Sequence, residues 1–194
     1  MGKFLVYSAC LVPFARLIFL GLNNDLSANP LEFVLRSTGT WTLVLLCLSL
    51  AMTPLKHLTG APKWIKWRKS LGLFCFFYAF LHAAAWFLLD QGGDFLIAWQ
   101  DVLKRNFILV GFIAFILLIP LAITSNKMMI RKLGRSWSLL HRTVYAIAAL
   151  SILHYWLHKA GKNDFFEVTI YAAVVFILLS ARVFWWWKNK RVKK

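Results

Sequence analysis

The chain has 194 residues, 60% of them hydrophobic and 15% charged, with ten Trp and seventeen Phe. Soluble domains run at roughly 45–50% apolar and about 25% charged residues, so this composition excludes one. The formal charge of +16 does not indicate nucleic acid, because the basic residues lie between long apolar runs; no nucleic-acid partner is expected.

A transmembrane helix needs about 20 mostly apolar residues. Six stretches reach or approach that length: 4–22, 37–53, 71–89, 107–123, 139–157 and 168–187. Strand-like alternation is absent, which argues against a β-barrel. The expected fold is all-α, a polytopic membrane protein with six transmembrane helices in one bundle, forming a single domain over residues 1–194. The first apolar run shows no convincing cleavage site and reads as a span rather than a signal peptide. The segments between spans are too short for a folded domain, and no internal repeat is visible.

Charge orients the bundle. The acidic residues fall in alternate connections: Asp25 and Glu32, then Asp90, Asp94 and Asp101, then Asp164 and Glu167. The other connections carry Lys56, Lys63, Lys66, Arg68 and Lys69, then Lys127, Arg131, Lys132 and Arg135. Lys3, Arg142 and a tail with Arg182, Lys188, Lys190, Arg191, Lys193 and Lys194 bring one side to 17 of the 23 basic residues. The Lys/Arg bias sets topology and puts both termini in the cytoplasm, with the basic surface against anionic lipid head groups. Trp64, Trp67, Trp137 and Trp185, Trp186 and Trp187 mark the inner interface, and Trp41, Trp99 and Trp156 the outer one. Cys10, Cys47 and Cys75 lie within spans without a CxxC or CxxCH motif. They read as small buried residues, not as disulfides, zinc ligands or covalent haem anchors.

Ionisable residues at membrane depth are costly and point to function. His82, His141 and His154 fall within or at the edge of the third and fifth spans, whereas His57 lies in a basic loop and His158 at the outer rim. At 1.5 Å per residue, His82 lies about 16 Å and His154 about 22 Å along spans that run the same way, so both reach the outer half. His141 lies about 20 Å below His154. Zinc wants four ligands, and no carboxylate is expected nearby. Haem needs one or two axial side chains, because the macrocycle brings four nitrogens. Ala83, Ala84 and Ala85, with Ala146, Ala148 and Ala149, allow a flat ring to approach or simply pack helices closely; Trp86, Phe87 and Tyr78 would supply walls. Two axial histidines leave no open iron position, which favours electron transfer. Arg16, inside the first span without an acidic neighbour, has two readings: a fork onto a haem propionate, or snorkelling to the outer head groups.

The stretch Thr124-Ser125, Arg131-Lys132-Leu133-Gly134, Trp137, Leu140-His141 and Tyr145 resembles a signature of the haem-binding membrane subunits of the periplasmic protein-methionine-sulfoxide reductase system. His154-Tyr155, Leu71-Gly72-Leu73 with Leu81-His82, and Thr53-Pro54-Leu55 are similar to the same family, which belongs to the ferric-reductase-like transmembrane group. The resemblance implies an inner-membrane b-type cytochrome, an electron-transfer subunit rather than a self-contained enzyme. It would carry electrons from quinol through haem b, one or two per chain, to a periplasmic molybdopterin-dependent methionine-sulfoxide reductase. FMN is a further cofactor the resemblance implies. It makes His82 and His154 the axial pair of the outer haem, and His141 a ligand or close neighbour of a second redox group, a second haem among them, near the cytoplasmic side. The acidic outer loops would dock the partner, and the basic loops 63–69 and 131–135 would bind a flavin phosphate or serve topology alone. The alternatives are another haem-b ferric or quinone reductase, and a small proton-coupled transporter or assembly factor.

Overall fold

The structure is a computed structural model that describes residues 2–191, with side chains described for 4–188. The basic side chains of Lys3, Lys190, Arg191, Lys193 and Lys194 lie outside that set. Every regular element among the described residues is helical: α1 (Gly2–Leu22), α2 (Pro30–Thr59), α3 (Lys63–Ala85), α4 (Phe95–Lys104), α5 (Asn106–Ile123), α6 (Lys127–Leu133), α7 (Arg135–Leu140), α8 (Val144–Ala160) and α9 (Phe166–Arg191). A π-helical turn, Trp86–Asp90, prolongs α3, and a 3₁₀ turn, His141–Thr143, joins α7 to α8.

Five of these helices are long and apolar enough to cross a membrane: α1, α2, α3 with its π turn, α5 and α9. The expected fifth span, 139–157, begins later than its hydropathy suggests. Its first residues end α7 and form the 3₁₀ turn, which leaves α8 with 17 residues. Conversely, α2 runs for 30 residues, well past both ends of 37–53. The Asn29 side chain accepts from Glu32 N–H at 3.1 Å, Pro30 occupies the first turn, and Gly60 closes the far end at φ 69°, each at the helix terminus that suits it. His57 therefore belongs to a helix, not to a loop. Segments expected as loops also carry short helices. Asp94 caps α4 by accepting from the N–H groups of Leu96 and Ile97, and Asn126 caps α6 in the same way through Met129.

The core consists of two antiparallel helix pairs, α2 with α3 and α5 with α8, joined where α3 meets α5. Close approach of α2 and α3 is aided by Ser49, whose hydroxyl donates to the Arg68 carbonyl at 3.2 Å beside Gly72. Leu45, Leu46, Leu50, Cys75, Tyr78 and Ala148 fill the centre. All three cysteines are buried and free, as their apolar settings suggest.

α1 and α9 flank this core. Pro13 interrupts the backbone ladder of α1, and the buried Tyr78 of α3 enters the opening. Its hydroxyl donates to the Cys10 carbonyl at 2.7 Å and accepts from Phe14 N–H at 3.0 Å. Tyr78 is thus a clamp on α1, not a wall for a cofactor. A second proline has a related consequence. Pro54 has no N–H for the Leu50 carbonyl one turn earlier, and Arg182 of α9 donates to that carbonyl at 2.7 Å instead. Arg182 is consequently folded against the bundle and does not belong to a free basic tail.

Candidate functional site

His82, near the end of α3, and His154, in the second half of α8, meet between the two helix pairs. Their ring centroids are 6.2 Å apart and their planes nearly perpendicular, at 83°. Each ring is held by the partner helix of its own pair. His82 Nδ1 lies 3.0 Å from the Leu35 carbonyl of α2, and His154 Nδ1 lies 2.6 Å from the Phe107 carbonyl of α5. A carbonyl can only accept, so each Nδ1 carries the proton and each Nε2 keeps its lone pair. A carbonyl behind an imidazole also fixes its rotation and strengthens Nε2 as a donor to a metal.

The two rings rest on glycines. A Cβ on Gly39 would stand 3.3 Å from the His82 ring, and one on Gly111 only 2.6 Å from His154 Nδ1. Leu35, Gly39 and His82 recur 72 positions later as Phe107, Gly111 and His154. The carbonyl and the glycine lie one helical turn apart in both units, so one local device has been built twice. No repeat is apparent in the sequence because the three matching positions sit among unrelated apolar residues.

The donor set suits haem. Two metal–imidazole bonds of about 2 Å, with about 1 Å from each bonding nitrogen to its ring centre, span about 6 Å, close to the observed separation. Among the described residues no group of three or more His, Cys, Asp or Glu could hold a bare metal ion. Trp86, one turn beyond His82, has a buried indole N–H with no protein partner, a donor that a propionate would satisfy. The alanines are less uniform than expected. Ala84 and Ala85 line a crevice of about 310 Å³ with Thr38, Leu81 and residues of α1, Ala148 is buried, and Ala146 and Ala149 face outward.

The other sequence candidates lie apart from this pair. His141 sits in the 3₁₀ turn, with Nε2 3.0 Å from the Thr124 hydroxyl. Its ring stacks on Trp137 at 4.0 Å, while the Trp137 indole donates to the Thr124 carbonyl at 3.0 Å. Thr124, Trp137 and His141, spread over 18 positions of sequence, thereby form one clasp at the basic end. Arg16 is exposed on α1, with its guanidinium 6.0 Å from the Phe33 ring, a position that fits snorkelling. His158 lies against the Phe107 ring, one turn from His154 at the rim. His57 stacks on Trp185 at 4.9 Å. Sequence reasoning missed Gly39, Gly111 and the two carbonyls, since a glycine in an apolar helix is too common to single out.

The acidic end is less open than its composition suggests. Asp90 and Asp101 pair with Arg105, Glu32 with Lys162, and Asp164 and Glu167 with the buried Lys159. A docking face there would rest mainly on Asp25 and Asp94.

A family model described as "Ferric reductase like transmembrane component" matches residues 38–152, a stretch that contains His82 and His141 and ends two positions before His154. The chain is 57% identical to the "Protein-methionine-sulfoxide reductase heme-binding subunit MsrQ" of Ralstonia nicotianae over 96% of this chain and 86% of that relative. Proteins of the same description from Bordetella parapertussis and Polaromonas naphthalenivorans are 52% and 46% identical, over 97% and 98% of this chain and 91% and 87% of theirs. No solved structure matches.

Proposed function

The chain belongs to the ferric-reductase-like transmembrane family and, within it, to the MsrQ heme-binding subunits, and from that premise we propose that it is a b-type cytochrome of the bacterial inner membrane. Electrons pass from quinol at the basic, cytoplasmic end to a periplasmic molybdopterin-dependent methionine-sulfoxide reductase at the acidic end. His82 and His154 would hold the haem iron. α8 is the sixth span: its 17 residues stand at the lower limit for crossing a bilayer, and an even number of spans leaves both termini in the cytoplasm, as the Lys/Arg bias requires.

The observation that carries this reading is the pair of imidazoles at 6.2 Å, each with Nδ1 engaged by a backbone carbonyl. The bound haem would supply one-electron chemistry. The chain's own contribution is to keep both Nε2 lone pairs available and to hold the rings on glycines so that they cannot rotate away; with both imidazoles on the iron, no position would remain for oxygen or substrate. His141, held by Thr124 and Trp137, stands at the electron-entry end, as ligand or neighbour of a second redox group. The FMN implied by the family resemblance belongs to the same end.

The test is an absorption spectrum of the purified chain with pyridine-haem quantification. Wild type should show a reducible b-type Soret band, and His82→Ala and His154→Ala should each remove most of it. External imidazole should restore part of the band in either variant. Full haem content in both variants would refute the axial assignment.

A further inference from the structure

The two histidine units agree in carbonyl, glycine and ring, and they differ at one neighbouring position. Three residues after the carbonyl and one before the glycine, the first unit has Thr38 where the second has Val110. Thr38 is buried, with 2% of its surface exposed. Its hydroxyl carries one proton, which goes to the Val34 carbonyl at 2.7 Å rather than to the Leu35 carbonyl at 3.2 Å. The oxygen lone pairs are then free to accept, and Oγ1 stands 3.4 Å from His82 Nδ1.

The Leu35 carbonyl makes His82 Nδ1 a donor, so the Thr38 oxygen can only receive from it. That N–H is shared between two oxygens, at 3.0 and 3.4 Å. His154 instead donates to one carbonyl at 2.6 Å, and Val110 has no oxygen to add. A threonine in a helix satisfies its own hydroxyl on the carbonyl one turn back, so the contact with His82 is additional. At 3.4 Å it is weak, but burial strengthens it, because no water competes for the N–H. An acceptor behind an imidazole makes Nε2 a better donor to a metal, and a better donor favours the more highly charged, oxidised iron.

We propose that Thr38 is a positioning residue for the His82 ligand: as a second acceptor at Nδ1, its hydroxyl stabilises the oxidised haem and lowers the reduction potential. The inference rests on the axial reading given above. It makes the two ligands unequal, and it places control of the potential in a residue that is not itself a ligand.

Redox titration of the purified full chain in detergent, followed at the Soret band, reads the midpoint, and pyridine-haem quantification reads occupancy. Thr38→Val removes the acceptor, while the Val34 carbonyl keeps its bond within α2. The variant should retain haem and favour reduction about threefold, a rise of roughly 30 mV at about 59 mV per decade for one electron. Thr38→Ser should keep the wild-type midpoint. Val110→Thr, which gives His154 the oxygen it lacks, should move the midpoint the opposite way. An unchanged or lower midpoint in Thr38→Val at full haem content overturns this proposal alone. Should Thr38→Val lose its haem, Val110→Thr decides: a lower midpoint supports the hydroxyl as an acceptor, and an equal or higher one overturns it. Haem missing from the wild type would refute the axial reading, and this inference with it.

Discussion

Gly111 of α5 lies directly beneath the imidazole of His154 on α8: a Cβ on this glycine would stand 2.6 Å from Nδ1, closer than side-chain carbons approach any neighbour. The ring is held there by its contact with the Phe107 carbonyl one turn earlier. Gly39 holds the same relation to His82 with more room, at 3.3 Å.

Gly111→Ala should therefore displace His154, and Gly39→Ala should be tolerated better. The expected outcome is loss of most haem per chain in Gly111→Ala and retention of at least about half in Gly39→Ala, since small shifts can absorb the looser contact. Pyridine-haem quantification against protein concentration measures both. Equal haem loss in the two variants would mean that the glycines do not act through these rings.

His141 lies in the clasp with Thr124 and Trp137, away from the outer pair. His141→Ala should keep the Soret band of the outer haem while slowing its reduction by a quinol analogue several-fold. Stopped-flow absorbance reads the rate, and a static spectrum reads the haem. Complete haem loss in this variant would show that the two regions do not divide the work.

Tyr78→Phe removes the hydroxyl that joins the Cys10 carbonyl and Phe14 N–H in α1. Both backbone groups would be left poorly paired next to Pro13, at a cost of about 1–2 kcal/mol. A lower thermal midpoint in detergent should accompany an unchanged Soret position, because the hydroxyl touches α1 and not the histidine pair. An unchanged midpoint would show that α1 closes its own ladder without help.

Lys159 is only 5% exposed and depends on Asp164, with Glu167 at 3.9 Å. Its hydrogen bond holds the Asp164 carboxyl below the ordinary value of 3.8. A carboxyl lowered in this way stabilises the fold above its unfolded pKa, and that contribution is lost as pH falls through the lower, folded value. The thermal midpoint of wild type should decline more steeply below about pH 4 than that of Asp164→Asn, which begins lower. Parallel profiles for the two chains would remove this pair from the acid response.

The membrane class and the helical fold were legible in the amino-acid sequence, and loop charge carried an expectation of how the bundle is oriented. Bilayer thickness sets how long an apolar run must be, and loop charge acts one connection at a time, so neither needs tertiary information. His82 and His154 were legible for a similar reason: an imidazole between apolar neighbours is conspicuous wherever the helices pack. What holds those rings was not legible. Gly39 and Gly111 matter only because another helix carries a histidine onto them, and a backbone carbonyl leaves no mark in the sequence as a partner.

Proline and arginine show the same division. Pro54 signals a missing N–H, but which group takes up the Leu50 carbonyl depends on how α9 crosses α2. That crossing turned Arg182 from an apparent tail residue into one held against the Leu50 carbonyl and the Tyr145 hydroxyl. The break at His141–Thr143, which shortens α8 and seats His141 against Trp137, falls on the polar run His141-Arg142-Thr143. Such a run does not by itself say whether a helix stops or continues through it. Local composition determined that the chain is helical, with several segments long and apolar enough to cross a membrane. Only packing between segments distant in sequence decided which polar atoms meet, because those contacts depend on where helices cross.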